Sequence, residues 1–190
     1  MVLVVGAIHG DEPSGAEVVR GIADRRPSRG VVVAVSSLNP DGVEAGTRTN
    51  ARGVDLNRNF GSGWEASGEP GDPEYSGPRP FSEREARVAR SLIRRLRPDV
   101  TLWFHQQHEP PFVRAWGQSV DVARAYARLA GMPFEALPWL PGTAPNWQNH
   151  RFAESSAFVV ELPWGEVSTQ DLRRQEAAIL ELGRALEAGA

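Results

Sequence analysis

The sequence contains neither cysteine nor lysine. Without cysteine there can be no disulfide, thiolate zinc site, iron–sulfur cluster or cysteine nucleophile, so any bound metal ion must take nitrogen and oxygen ligands. Without lysine there can be no lysine Schiff base and no P-loop lysine. Histidine is also scarce, so imidazole ligands must come from four residues: His9, His105, His108 and His150.

Long apolar runs and a large excess of charge are absent too. No run approaches the roughly 20 residues that a membrane-spanning helix needs. The first apolar stretch, at 2–8, has no basic residues before it and Gly-Asp-Glu soon after it, which is typical of a core strand and not of a signal peptide. We therefore expect a cytoplasmic protein without a membrane partner. The net charge of −3 argues against nonspecific nucleic-acid binding, and the length of 190 residues predicts one domain over residues 1–190.

Apolar runs alternate with segments of helical periodicity. The first two runs are almost continuously apolar, as in a sheet covered on both faces, and the pattern predicts an α/β fold with one layered sheet. Ser82 and Glu85 predict a capping box at the start of the second helix. Residues 39–80 and 138–149 are predicted loops, and the length of the first indicates a functional role. The predicted strands span 2–8, 31–35, 100–104, 112–116 and 157–160, and the predicted helices span 14–26, 82–97, 119–130 and 168–186.

Three predicted strands end in a residue that could take part in chemistry: His9, His105 and Glu161. In open α/β sheets, ligands bind outside the carboxyl ends of the strands. A histidine or glutamate at a buried strand end is costly unless it is paired or coordinated. We therefore expect these residues to meet at one edge of the sheet.

His9 and Glu12 lie three residues apart where the first strand ends. In a helical turn, residues at this spacing point the same way, so the pair could hold one side of a zinc ion. The alternative is an ordinary polar strand-to-helix turn. His105 would complete a His, Glu, His set that leaves an open position for water. His108 is a competing ligand that we interpret as a loop residue, and His150 is predicted to lie on the surface.

Five further polar residues could surround such a metal ion. Glu161 would be partly desolvated, which raises a carboxyl pKa and suits a general base; the alternative is a salt bridge to an arginine. Arg58 offers a planar fork for a carboxylate, and Asn57 adds an amide donor. Asp55 could orient a ligand histidine, and Arg48 supplies another cation. The alternative for this segment is a solvated arginine loop.

The chain resembles the M14 zinc carboxypeptidase family, because pieces of the family's pattern stand in the family's order along nearly the whole chain. Most specific is Gly53-Val-Asp-Leu-Asn-Arg-Asn-Phe60 with a His-x-x-Glu before it and a glutamate near the C-terminus. Within the family, the sequences of these motifs most resemble those of the bacterial murein-peptide amidase branch, which trims diaminopimelate-containing peptides. The pieces are His9-Gly-Asp-Glu12, Asn39-Pro-Asp-Gly42, Arg48, Gly53 to Phe60, Tyr75-Ser-Gly-Pro78 with Ser82-Glu83, Phe104-His105, and Glu161.

This resemblance implies a single three-layer α/β domain whose mixed, mostly parallel sheet is flanked by helices. It implies one zinc ion per chain, bound by His9, Glu12 and His105, with Asp55 behind His9. The activity it implies is that of a zinc metallocarboxypeptidase, which hydrolyses an amide bond next to a free terminal carboxylate on a peptide or small amide.

The resemblance also implies roles for four residues around the metal ion. Glu161 would activate the zinc-bound water and pass its proton to the leaving amine. Arg48 would help to polarise the scissile carbonyl and hold the developing oxyanion. Asn57 and Arg58 would hold the terminal carboxylate of the substrate.

The chain departs from the family pattern in two places. The strand before His9 begins at Val2, whereas the family usually has strands before it. We therefore expect fewer than the family's eight strands, with a sheet edge that is exposed or paired in a homodimer. The family's substrate-capping tyrosine is also missing, and Trp139 is the candidate to replace it.

Two other functions remain open from the sequence. One is a zinc deacylase of small N-acyl amino acids, like the aspartoacylases and succinylglutamate desuccinylases. The other is a non-catalytic binding module on the same fold. The segment from Tyr75 and the Asn-Arg-Asn-Phe match favour the peptidase, and the chemically competent ligand, base and oxyanion residues argue against an inactive module.

Overall fold

The computed structural model describes residues 1–23, 25, 30–106 and 109–188. Its strands are β1 (Val2–Val5), β2 (Val32–Val35), β3 (Val100–Gln106), β4 (Phe112–Ala115), β5 (Phe134–Ala136) and β6 (Ser156–Leu162). They form one mixed sheet in the order β2-β1-β3-β6-β4-β5. The first four strands in that order run parallel to one another, β4 runs antiparallel to β6, and β5 runs parallel to β4.

Helices cover this sheet. They are α1 (Ser14–Ala23), α2 (Pro40–Ala45), α3 (Arg84–Leu96), α4 (Val120–Ala130), α5 (Ala144–Arg151) and α6 (Thr169–Ala188), with short 3-10 turns at Leu56–Arg58 and Gly117–Ser119. Within the described ranges, none of these helices combines the length and the apolar character that crossing a bilayer requires.

Alternate residues of β1 enter two separate apolar cores. Val2 and Val4 belong to a core that includes residues of α1, α4 and α6, whereas Leu3 and Val5 belong to one that includes residues of α3 and α5. Successive side chains of a strand point to opposite faces, so each face of the sheet is covered by its own helices. This arrangement confirms the predicted three-layer α/β fold with a mixed, mostly parallel sheet.

The register of the central strands brings two of the predicted strand ends together. In the parallel pair of β3 and β6, His105 is the partner of Glu161. In the antiparallel pair of β4 and β6, Phe112 is the partner of the same glutamate. Since paired residues point to one face of the sheet, the side chains of His105 and Glu161 emerge side by side.

The first strand is shorter than predicted. It ends at Val5, and the chain turns away through Gly6 and Ala7, whose φ of 43° lies in the left-handed region. A Cβ atom on Gly6 would lie 2.7 Å from the carbonyl carbon of Gly15, so the start of α1 packs directly on this backbone. Ala7 and Ile8 lie beyond the strand but are still buried, and Ile8 belongs to the same apolar core as Leu3.

Three elements fall outside the sequence predictions. α2 and α5 lie in segments predicted as loops, and β5 has only three residues, two of which are exposed. α5 is buried over most of its length, so it has no apolar stripe of helical period. Two of its polar side chains bind inside the protein: Gln148 donates to the Thr101 hydroxyl at 2.8 Å, and Asn149 exchanges hydrogen bonds with the backbone of Ala157.

The predicted capping box is wrong. α3 begins at Arg84, its N-cap is Glu83, and no side chain caps it. The Ser82 hydroxyl donates instead to the Glu83 carboxylate at 2.7 Å and accepts from the side-chain amide of Asn59 at 2.9 Å, while Asn59 Oδ1 accepts from the backbone N–H of Glu83 at 3.1 Å.

β2 also differs from the expected strand that is covered on both faces. It forms an edge of the sheet, where three of its residues are half-buried and Ala34 is exposed. Val31, just before it, is 53% exposed. The described residues form six strands, which is fewer than the eight of the family.

Candidate metal centre

The turn after β1 places His9 and Glu12 against the long loop that follows β2. A Cβ atom on Gly10 would lie 1.9 Å from the carbonyl carbon of Gly42 in α2, so only glycine fits between the two potential ligands. The Gly10 amide donates to the Thr47 carbonyl at 3.0 Å, which ties the turn to the same loop. The close backbone contact therefore fixes the direction in which both side chains point.

His9, Glu12 and His105 meet in one buried cluster. The Nδ1 atom of His9 lies 2.8 Å from Glu12 Oε1, and the Nδ1 atom of His105 lies 3.0 Å from Glu12 Oε2. The potential ligand atoms of the three residues all lie within 4.8 Å of one another, and each residue is at most 5% exposed. Two imidazole nitrogens and a carboxylate at these distances fit a zinc ion, so the cluster could bind the expected metal.

Asp55 supports the cluster from behind. Its Oδ1 atom accepts hydrogen bonds from His9 Nε2 at 3.0 Å and from the backbone N–H of Asn57 at 2.7 Å. A carboxylate on the second nitrogen of a ligand histidine fixes the ring's orientation and its tautomer, leaving Nδ1 to face the metal ion. The structure thus places Asp55 where the resemblance implied.

The cluster is electrostatically coupled. Burial alone would lower the pKa of His9, but the carboxylates of Glu12 and Asp55 outweigh it and raise that pKa to about 9. Burial would raise the pKa of both carboxyl groups, yet the imidazoles of His105 and His9 hold that of Glu12 well below its usual range. His9 and Arg48 do the same for Asp55. At neutral pH the metal-free cluster therefore contains two anions and a protonated His9, whose proton a metal ion would displace.

Arg48 lies beside the cluster and is held by its carboxylates. Its Nε and Nη2 atoms donate to Asp55 Oδ2 at 3.1 and 2.9 Å, and Nη1 donates to Glu12 Oε1 at 3.4 Å. Burial alone would lower the pKa of Arg48, but the carboxylates of Asp55 and Glu12 outweigh burial and raise that pKa. The guanidinium therefore stays charged. The result is a fixed cation at the edge of the site.

Asn57 and Arg58 follow Asp55 in a 3-10 turn. The side-chain amide nitrogen of Asn57 lies 3.2 Å from His105 Nε2, and its side-chain oxygen Oδ1 accepts from the backbone N–H of Ala144 at 3.0 Å. Arg58 donates to the backbone carbonyl of Asn57 at 3.1 Å and to the exposed Glu74 at 3.0 Å. Asn57 therefore joins the cluster to α5, while Arg58 presents its guanidinium to the neighbouring cleft.

A cleft of about 210 Å³ opens in front of the cluster. The predicted metal ligands, Glu161, Arg48, Asn57 and Arg58 all line it, so the structure brings together every site residue that was predicted from the sequence. The lining residues are His9, Glu12, Arg48, Asn57, Arg58, His105, Gln106, Arg114, Trp139, Leu140, Thr143, Pro145, Val159 and Glu161.

Sequence reasoning missed two polar residues of this cleft. Gln106 donates its backbone N–H to Glu12 Oε2 at 3.2 Å, and its side-chain oxygen accepts from the backbone N–H of Ser14 at 3.2 Å. Arg114 lies on β4, on the same face as Glu161. No motif marks either residue, and Arg114 shares a face with Glu161 because the register of β4 on β6 pairs Arg114 with Val159.

The remaining histidines take no described part in the cluster. His150 is exposed and pairs with the Asn146 carbonyl at 2.8 Å, which confirms the predicted surface position. The competing ligand His108 lies outside the described residues. Tyr126 is buried and donates to Gln175 at 2.6 Å, so it does not reach the cleft. Trp139 does line the cleft, and its substrate-capping role stays a prediction.

Many solved structures share this fold, and two of them represent different activities. Murein-tripeptide amidase MpaA from Escherichia coli O157 superposes with a TM-score of 0.73 at 23% identity, over 97% of this chain and 80% of that one. The succinylglutamate desuccinylase/aspartoacylase of Rhodobacter sphaeroides superposes with a TM-score of 0.69 at 21% identity, over 98% and 55%. Because peptidase-like and deacylase-like proteins share the architecture, the fold does not separate the two activities.

Similarity in sequence identifies the family more specifically than the shared fold does. Murein peptide amidase A of Escherichia coli strain K12 is 34% identical over 115 residues, which are 54% of this chain and 48% of that protein. The chain thus spans about half the length of the curated relatives it matches. The zinc carboxypeptidase family model, peptidase M14, matches residues 30–130, which is more than half of the chain. With the His, Glu, His cluster at the strand ends and this match across its middle, the chain belongs to the M14 zinc carboxypeptidase family.

Proposed function

We propose that this chain is a zinc-dependent metallopeptidase that hydrolyses an amide bond next to a free terminal carboxylate. The proposal treats residues 1–190 as one catalytic domain with one zinc ion. The observation that carries it is the convergence, in one cleft, of a buried His, Glu, His cluster with Glu161, Arg48 and Arg58.

Zinc held by His9, Glu12 and His105 would supply a Lewis acid and lower the pKa of a coordinated water molecule. Glu161, on the strand next to His105, accepts the proton of the attacking water and delivers it to the leaving amine. Arg48 stabilises negative charge that develops on the scissile carbonyl, since its guanidinium is already fixed beside the cluster.

The requirement for a free carboxylate rests on Arg58 and Asn57. The planar guanidinium of Arg58 can bind a carboxylate through two parallel hydrogen bonds, and its present partner Glu74 is an exposed side chain that a substrate carboxylate can replace. Asn57 connects this arginine to His105 and α5, so binding of the carboxylate is coupled to the geometry of the metal ligands.

The likeness to murein peptide amidase A supports peptides derived from the bacterial cell wall as the substrate class. A matched pair of substrates tests the basic proposal: the same peptide with a free C-terminal carboxylate and with a C-terminal amide. We expect the zinc-loaded protein to release the last residue from the acid only. Equal hydrolysis of both peptides would remove Arg58 from the proposed role.

A zinc deacylase of small N-acyl amino acids is the second candidate, because the desuccinylase/aspartoacylase has the same fold and the fold alone is compatible with either activity. A panel of C-terminal peptides, murein peptides and N-acyl amino acids separates the two. Turnover of the N-acyl amino acids alone would replace the peptidase by the deacylase, and zinc binding without any turnover would point to a binding module. Cytoplasmic location and homodimer formation stay predictions.

A further inference from the structure

Arg114 is a cation of the cleft that the proposed mechanism does not use. Its side chain lies on the same face of the sheet as Val159, its partner in the antiparallel pair, and as Glu161 two residues further along β6. Such diagonal neighbours lie within reach of long side chains. Arg114 thus lies on the wall of the cleft next to the proposed general base.

The guanidinium of Arg114 is positioned but not neutralised by a direct contact. Its Nη2 atom donates to the Pro138 carbonyl, and the group lies 6.0 Å from the centre of the Trp139 ring. Among the described residues, its buried Nε atom has no hydrogen-bond partner and its guanidinium forms no ion pair. Buried polar groups are normally satisfied, so an unsatisfied donor at a cleft indicates that a ligand supplies the acceptor.

The other two arginines of the cleft form ion pairs with carboxylates. Arg48 is paired with Asp55 and Glu12, and Arg58 is paired with Glu74. Burial and the charge of Arg58 lower the pKa of Arg114, while the charge of Glu161 partly offsets them. The mutual repulsion of Arg58 and Arg114 would be relieved by two anionic groups, one on each guanidinium.

We propose that Arg114 forms a second anion subsite, which selects substrates whose C-terminal residue carries an acidic side chain. This inference rests on the proposed function: Arg58 binds the terminal carboxylate, and Arg114 binds the carboxylate of the side chain. The apolar walls formed by Trp139, Leu140 and Val159 contact the methylene groups between the two carboxylates.

Two peptides that differ only in C-terminal glutamate or glutamine test this subsite. We expect the wild-type protein to favour glutamate in kcat/KM by roughly tenfold or more, because glutamine leaves the charged donor without an anion. Arg114→Gln should reduce kcat/KM for the glutamate peptide by ~10–100-fold and change that for the glutamine peptide by less than about threefold. Arg114→Lys should retain part of the preference. Equal hydrolysis of both peptides by the wild type would overturn the proposal.

The control variant is Arg124→Gln, which removes an arginine that stacks on Phe134 outside the cleft. It should behave as the wild type with both peptides. If Arg114 acted only through the charge of Glu161, Arg114→Gln would shift the pH–rate profile and kcat for both peptides alike. That outcome would overturn the subsite, whereas a loss confined to the glutamate peptide supports it.

A binding measurement separates this inference from the proposed function. Calorimetry with glutarate and with its monoamide, glutaramate, should give tighter binding of glutarate to the zinc-loaded wild type, and no such difference for Arg114→Gln. If no peptide is hydrolysed but this difference is observed, the proposed function fails and the anion subsite stands. If peptides are hydrolysed and glutarate binds no better than its monoamide, the subsite fails alone.

Discussion

Replacing Asp55 by asparagine removes one negative charge from the centre of the site and keeps the shape of the side chain. The carboxylate is fully buried and accepts four hydrogen bonds, two on each oxygen. The side-chain oxygen of an asparagine can still accept hydrogen bonds from His9 and from the backbone N–H of Asn57. Its NH₂ group must then face the guanidinium of Arg48, which places donor against donor.

The size of the effect follows from these contacts. Breaking a buried ion pair costs ~3–5 kcal/mol, and the 24% exposure of the Arg48 side chain puts Asp55→Asn near ~3 kcal/mol of unfolding free energy. Loss of the carboxylate behind His9 should also weaken zinc binding ~10–100-fold. Turnover should remain impaired at saturating zinc, because Arg48 loses the partner that orients it.

Urea unfolding of the metal-free protein and competition with a chromophoric zinc chelator measure the two effects separately. Asp41→Asn is the matched control, since Asp41 is an exposed residue of α2 outside the cleft and should change stability by less than about 0.5 kcal/mol. Unchanged zinc affinity in Asp55→Asn would refute the inference that this carboxylate supports a ligand histidine.

Three further predictions concern the metal ligands and the base. Glu161→Gln should lower kcat by roughly 10²–10⁴-fold while zinc stays bound, and unchanged hydrolysis would remove Glu161 from the mechanism. His105→Ala should lose zinc on dialysis, as measured by metal analysis; full retention would point to His108. In the metal-free protein, the pKa of His9 is raised from 6.5 to about 9, so its stabilising contribution is complete below pH 6.5 and is lost as the pH rises towards 9. Urea unfolding should detect a loss of about 3 kcal/mol across that window, and a flat profile would contradict the charge pairing assigned to His9.

Much of the site could be predicted from the sequence because its residues stand at the ends of apolar runs. A buried run that stops at a histidine or glutamate reveals both the strand and its functional end, as for His105 and Glu161. The spacing of His9 and Glu12 and the run of Asp55, Asn57 and Arg58 added recognisable local patterns. These features depend only on neighbours in sequence.

The parts that could not be predicted depend on contacts between distant segments. α5 is buried on nearly every side, and its residues Gln148 and Asn149 form hydrogen bonds to Thr101 and Ala157, so no periodic pattern reveals it. The direction of β4 follows from its pairing with β6, and that pairing alone brings Arg114 into the cleft. The capping-box prediction was wrong because of another contact between distant segments: the Ser82 hydroxyl accepts a hydrogen bond from the side chain of Asn59.

The central claim is that His9, Glu12 and His105 bind one zinc ion. A crystal of the zinc-loaded protein, measured on both sides of the zinc absorption edge, tests it directly. We expect one anomalous peak per chain, ~2.0–2.2 Å from the Nδ1 atoms of both histidines and from a carboxylate oxygen of Glu12. A peak coordinated by other residues, or zinc-dependent hydrolysis by crystals with no peak at this cluster, would contradict it.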